Sequence, residues 1–155
     1  MSKTYRDYIN SMISSCIDFI GTERGSRHHY DLMRTFNKLV FKDVELEVTD
    51  DFSSAFIGVM AHTFGLGGYY PVKGVLANAM DWYAERKQLV VPVGYHPDVG
   101  DVAFFDCNYD GKPEYCGLVT KTTPRQLTVI AFREYVDYFT VKPLDTRILY
   151  YGQTK

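Results

Sequence analysis

The sequence is poor in the groups that carry most enzyme and metal chemistry. Three cysteines, Cys16, Cys107 and Cys116, among 155 residues cannot all pair with one another, and their spacings contain no C-x-x-C zinc signature, so a reducing compartment is expected. Histidine is nearly as sparse, with four in all. No stretch approaches the roughly 18 consecutive apolar residues of a spanning helix. The opening Met1-Ser2-Lys3-Thr4-Tyr5-Arg6-Asp7 has no apolar signal-peptide core. Together these absences lead to the expectation of a cytoplasmic protein with no membrane partner. The lysines and arginines form no basic stripe, and a net charge of −2 with a pI near 6.1 removes the electrostatic case for nucleic acid. Gly65, Gly67 and Gly68 follow no strand and do not make a dinucleotide fingerprint. No cofactor is expected.

What is abundant is apolar and aromatic. Hydrophobic residues make up 46% of the chain and aromatics 15%, with 13 Tyr and 10 Phe, which excludes a disordered polar chain and supplies a core for one domain spanning 1–155. Most of the tyrosines are expected in that core, with surface tyrosines as candidate partner anchors. There is no internal repeat, low-complexity tract or linker.

Apolar periodicity places helices first and strands later. Tyr5, Tyr8, Ile9, Met12, Ile13, Cys16, Ile17 and Ile20 recur at helical spacing, and Gly21 can end that helix. A second, shorter helix is expected from about Tyr30 to Leu39, then an extended connection from Phe41 to Val48. Asp50 or Asp51 can cap a third helix, whose buried stripe would be Phe52, Ala55, Phe56, Val59, Met60 and Thr63. A fourth helix has Val72, Val75, Leu76, Ala79, Met80 and Tyr83 on its apolar face, with Trp82 beside it. Four strand patterns follow, at Val102–Phe105, Gly117–Thr120, Leu127–Ala131 and Ile148–Tyr151, separated by turn residues.

Three segments together resemble the papain-like cell-wall amidases and peptidases of the CHAP and NlpC type. Asp51-Phe52-Ser53-Ser54-Ala55-Phe56-Ile57 resembles the family's W-C-x-x-F-V helix start. Pro97-Asp98-Val99-Gly100-Asp101-Val102-Ala103-Phe104-Phe105 resembles its P-x-x-G-D-I-x-F-F strand, and Glu114-Tyr115-Cys116-Gly117-Leu118-Val119 its D-H-V-G-I-V strand. The resemblance implies an α+β papain-like domain with amino-terminal helices packed on an antiparallel sheet. It also implies a degenerate site: the nucleophilic cysteine would fall on Ser53, the histidine on Tyr115, and the orienting residue on Phe132 or Arg133.

The chemistry of that site needs a thiolate beside an imidazole held by a third polar group. A serine hydroxyl without a base is a poor nucleophile, and a phenol with a reference pKa of about 10 donates where the imidazole has to accept. Other residues do not evidently replace the triad. His62 follows Ser54 by eight residues on one helix, about 12 Å along its axis. His28 and His29 lie in a polar stretch, Arg24-Gly25-Ser26-Arg27-His28-His29, read as a solvated loop and helix start. Cys116 reads as a buried small apolar residue.

Asp106-Cys107-Asn108-Tyr109-Asp110-Gly111 matches the first half of an EF-hand loop, but position twelve is Gly117 instead of glutamate. Asp110-Gly111 also suits a hairpin turn between the Phe104 and Leu118 strands, so no metal site is assigned. The resemblance with its missing groups leads to the expectation of a catalytically inactive pseudoenzyme encoded by a phage or other mobile element. Its residual cleft at Ser53 and Tyr115 would bind a host or phage protein in the host cytosol, as an inhibitor of a host defence factor would. The alternatives are a divergent peptidoglycan amidase or endopeptidase and a phage structural component.

Overall fold

A computed structural model describes residues 4–40, 46–70 and 76–154. Helix α1 (Tyr5–Asp18) starts at a capping box, with the Thr4 hydroxyl accepting from the Asp7 N–H and the Asp7 carboxylate accepting from the Thr4 N–H. Its inner face, Ile9, Met12, Ile13 and Cys16, keeps the expected period, whereas Tyr8, Ile17 and Ile20 of the expected apolar face are exposed, and Gly21 follows at φ +92°. Helix α2 (Arg27–Thr35) starts three residues before the expected Tyr30, because the Ser26 hydroxyl accepts from the His29 N–H and caps it there. It runs on into a π-helical turn, Phe36–Val40. Residues 41–45 of the expected extended connection lie outside the described residues, as do Val72 and Val75 and the side chains of Leu76, Ala79 and Trp82.

Helix α3 (Ser53–Thr63) is the centre of the helical layer. Every residue from Ser53 to Ala61 is buried, so the one-sided stripe expected from the sequence is corrected to burial all round, and Thr63 is exposed. The helix packs against α1, α2, the π turn, α4 (Leu76–Glu85) and the sheet. Its Ser, Ala and Gly positions let neighbours approach on every side. The expected cap is corrected too. Phe52 occupies the N-cap position with no side-chain cap bond, Asp50 accepts from the Glu47 N–H, and Asp51 reaches the first turn from one residue further out.

The sheet has six antiparallel strands, β1 (Leu89–Val90), β2 (Val102–Phe105), β3 (Tyr115–Thr122), β4 (Leu127–Phe132), β5 (Val136–Val141) and β6 (Ile148–Gly152), in the order β1-β6-β2-β3-β4-β5. The α+β class expected from the element order is observed. β1 and β5 were not anticipated, although the alternating Val136-Asp137-Tyr138-Phe139-Thr140-Val141 is a strand signal.

Alternation divides the strands between two buried faces. Phe104, Cys116, Leu118, Ile130 and Phe132 join the helices in one apolar cluster. Phe105, Tyr115, Val119, Val129 and Ala131 form a second cluster on the other face. That second face is closed by curvature: the rings of Phe105 on β2 and Phe139 on β5 meet at 5.6 Å between centroids, although two strands lie between them and flat strands are spaced about 4.8 Å apart. Register shifts at Phe104/Phe105 and Val119/Lys121 supply the bends.

Candidate functional site

The first turn of α3 is fastened to the start of β3. The Ser53 hydroxyl donates to Asp51 Oδ2 at 2.9 Å and accepts the Cys116 backbone N–H at 3.0 Å, while the Cys116 thiol lies 3.8 Å away. Ser53 is 0% exposed. Tyr115, expected opposite Ser53, faces the other way: it stacks on Phe105 at 4.7 Å between centroids and belongs to the cluster on the far face. The expected Ser53–Tyr115 pairing is therefore corrected. Neighbouring residues on a strand point to opposite faces, and Cys116 is the one that faces the helix.

The remaining expected site residues separate in the same way. Phe132 lies on the helix side, its ring against Phe52, Phe56 and His29. Arg133 lies on the Tyr115 side, its guanidinium 4.6 Å from the Tyr115 ring centre and 5.4 Å from that of Phe139.

The electrostatics at Ser53 oppose nucleophilic chemistry. Burial, reinforced by the nearby Asp51 charge, pushes the Cys116 thiol far above its usual range, so no thiolate forms near neutral pH. Burial pushes the Asp51 carboxyl up to about 6, against the hydrogen bonds from Ser53 and the charge of Arg24, which pull it down. His29 is not in a solvated loop: it is 0% exposed. Its Nδ1 accepts the Gly25 N–H at 2.9 Å, its Nε2 has no hydrogen-bond partner, and its ring lies against Phe52 and Phe132. Burial, with the Arg24 charge, lowers its pKa. It therefore makes no hydrogen bond to the Ser53 hydroxyl that could carry a proton.

Beyond Asp51 the surface opens into a cleft of about 500 Å³ at the end of the sheet where β3, β4 and β5 turn. Tyr115 and Arg133 form one wall, Asp51 and Arg24 another, and Glu114, Glu134, Tyr135 and Asp137 complete it. Tyr115 thus lines the cleft, whereas Ser53 lies behind Asp51. Burial pushes the Tyr115 phenol up to about 12, although the Arg133 charge opposes the shift. Arg24 holds the cleft together. Its Nη1 donates to the carbonyls of Val48 and Asp50, both at 2.7 Å, its Nη2 donates to that of Arg133 at 3.0 Å, and its Nε lies 3.4 Å from Glu134. One side chain therefore ties the loop before α3 to the β4–β5 turn.

The Asp106–Gly111 loop closes on its own amides. Asp106 Oδ1 accepts from the Asp110 N–H and Oδ2 from the Gly111 N–H, with Gly111 at φ +85°. Glu114 completes a group in which one carboxylate oxygen each from Asp106, Asp110 and Glu114 lies within 4.8 Å of the others. This glutamate, and not Gly117, is the acidic partner of the partial motif.

Arg24, Asp51, Glu114 and Tyr135 were not singled out in the sequence as cleft residues. Glu114 stands beside Tyr115 in the recognised strand segment, which was the available signal. Arg24 had none, because its partners are backbone carbonyls remote in sequence. Compared with family models, curated proteins and solved structures, the chain matches none.

Proposed function

We propose that this chain is a non-catalytic, papain-like binding protein whose cleft at Tyr115 and Arg133 receives a partner protein. One observation carries the reading. The hydroxyl at the helix start is fully buried and bound on both sides, to the Asp51 carboxylate and to the Cys116 N–H. A nucleophile has to meet its substrate, and the groups around Ser53 instead fasten a helix to a strand. No imidazole among the described residues is hydrogen-bonded to it. The cleft alongside keeps a preorganised wall, with Arg133 fixed over two rings, suited to recognition without turnover.

The finer reading follows from the resemblance of the three sequence segments to the CHAP and NlpC type. In this proposal the chain comes from a phage or other mobile element and occupies a host factor, a defence protein being the favoured class. The decisive experiment combines two assays. Purified protein is expected to leave peptidoglycan uncleared at every pH, and a partner captured by the wild type is expected to be lost with Arg133→Glu. Clearing that disappears in Ser53→Ala or Cys116→Ala overturns the proposal.

A further inference from the structure

The end of the sheet opposite the Tyr115 cleft carries a second concavity, of about 440 Å³, built by three loops. The β1–β2 loop gives Tyr95 and His96, the β3–β4 turn gives Arg125, and the β5–β6 loop gives Lys142 and Leu144. Hydrogen bonds within the fold hold each loop. The Tyr95 N–H closes a turn on the Pro92 carbonyl at 3.2 Å with Gly94 at φ +82°, and the His96 ring is hydrogen-bonded to Thr122 on β3 at 2.7 Å. Across the β3–β4 turn the Thr123 N–H donates to the Gln126 carbonyl at 2.9 Å, and the Tyr151 hydroxyl donates to the Pro143 carbonyl at 2.7 Å. A groove set in this way loses little order on binding.

Its charge is of one sign. No carboxylate among the described residues lines it, and neither Arg125 nor Lys142 forms an ion pair with a described residue. The acidic residues of the same loops are engaged elsewhere. Asp101 accepts the Tyr95 hydroxyl and the Asp98 N–H, Asp145 holds Arg147 through two hydrogen bonds, and Asp98 lines a different hollow beside Arg6. The rim is apolar. Val93, at the tip of the Pro92–Tyr95 turn, is 79% exposed and Leu144 62%, the two most exposed aliphatic side chains among the described residues. Unpaired cations beside apolar surface left in water are the features of an interaction site.

We infer that this groove receives an acidic segment of a partner polypeptide, a Glu or Asp carboxylate meeting Arg125 and Lys142 and an apolar neighbour covering Leu144. Charge complementarity sets the carboxylate, because Arg125 offers a planar fork of donors that matches it and Lys142 a second positive charge. The exposed Leu144 and Val93 set the apolar neighbour, since covering them removes apolar surface from water. A polypeptide fits better than a charged surface. Two cations fall short of the basic clusters that hold an anionic membrane or a nucleic acid, and a concavity admits a side chain. The groove lies away from Tyr115 and Arg133, so this inference stands or falls independently of the reading given to that cleft.

The test uses the full chain and the peptide acetyl-Gly-Leu-Glu-Leu-Glu-Leu-Gly-amide, followed by the amide NMR shifts of Tyr95, His96, Arg125 and Leu144. Saturable shifts are expected there and not at Tyr115 or Arg133. Binding is expected to be about fivefold weaker for the peptide with glutamine in place of both glutamates, and for the Arg125→Gln, Lys142→Gln double variant. Both of those side chains are exposed, so the variant is expected to fold, and the glutamine comparison is made on the wild-type protein in any case. No saturable shift, an equal response to the glutamine peptide, or shifts confined to Tyr115 and Arg133 overturns the inference. Tighter binding to phosphatidylserine vesicles than to the peptide overturns it too, by assigning the surface to anionic lipid.

Discussion

The Ser53 hydroxyl and the Cys116 backbone N–H, 63 positions apart in the chain, meet at 3.0 Å in the core. This contact joins the start of the central helix to β3, and the hydroxyl's own donation to Asp51 extends the link to the rim of the cleft. A hydroxyl that satisfies a buried amide and a carboxylate together is difficult to replace. Ser53→Ala is expected to destabilise the protein by about 1–3 kcal/mol, because the Cys116 N–H remains buried without its acceptor. Urea unfolding measures the loss, and an unchanged midpoint would refute the structural role.

The same proximity makes a crosslink accessible. With Oγ and Sγ 3.8 Å apart, Ser53→Cys is expected to form a disulfide with Cys116 under oxidising conditions, given favourable Cβ placement. Closing a loop of that separation stabilises by about 4 kcal/mol in the chain-entropy picture. About two titratable thiols in the denatured oxidised variant, against about three when Cys116→Ala is added, is the expected result. The corresponding Ser53→Cys, Tyr115→Cys pair, with Cys116→Ala, is expected to stay reduced, because Tyr115 is on the other face.

Asp51 gives a pH dependence of definite sign. Its carboxyl is raised from 3.8 to about 6 in the folded chain, so the folded state holds the proton more tightly than the unfolded one. The associated stability is fully present below pH 3.8 and is lost as pH rises through about 6. Asp51→Asn is expected to remove this fall, giving a flatter curve between pH 4 and 6. Urea midpoints across that range measure it, and parallel curves for variant and wild type would contradict the assignment.

His29 acts in the opposite direction. Its folded pKa lies below the ordinary 6.5, so its contribution to stability is present above that value and declines as pH falls below it. Because Nδ1 accepts from Gly25, the proton of the neutral ring is expected on Nε2. Nitrogen-15 NMR of the imidazole reads both properties. An Nδ1–H tautomer, or titration at or above 6.5, would show that the ring is not held as described.

Gly117 is required by packing. A Cβ there would collide with Val129 Cγ1 and come within 3.0 Å of the Ile130 carbonyl oxygen. Gly117→Ala is therefore expected to cost about 1–3 kcal/mol through forced displacement of β4, measured by thermal or urea unfolding. The glycine in the recognised strand segment thus has a local structural reason at the β3–β4 contact.

Helical period and strand alternation were legible in the residues themselves. The inner face of α1, the strands around Val102–Phe105 and Ile148–Gly152, and the α+β order follow from local repeats of apolar side chains, which depend only on neighbours a few positions away. The short apolar and small-residue run of α3 hid its burial on all sides, because a helix interior to its layer loses the polar face that makes a period visible. The edge strand β5 alternates clearly from Val136 to Val141, a short turn after β4 ends at Phe132.

The site depended on facts with no local trace. Sequence order places Tyr115 and Cys116 side by side, but which of them meets Ser53 is decided by the face on which α3 packs. That choice sends Cys116 to the helix and Tyr115 to the cleft. Arg24 reads as a solvated cation until folding brings the carbonyls of Val48, Asp50 and Arg133 to it. The residue types present, and the want of a cysteine and histidine in the expected places, were determined by sequence alone. The pairing of those residues across 63 positions or more was decided by tertiary structure, because a side chain's direction is set by its own strand while its partner is set by what packs above it.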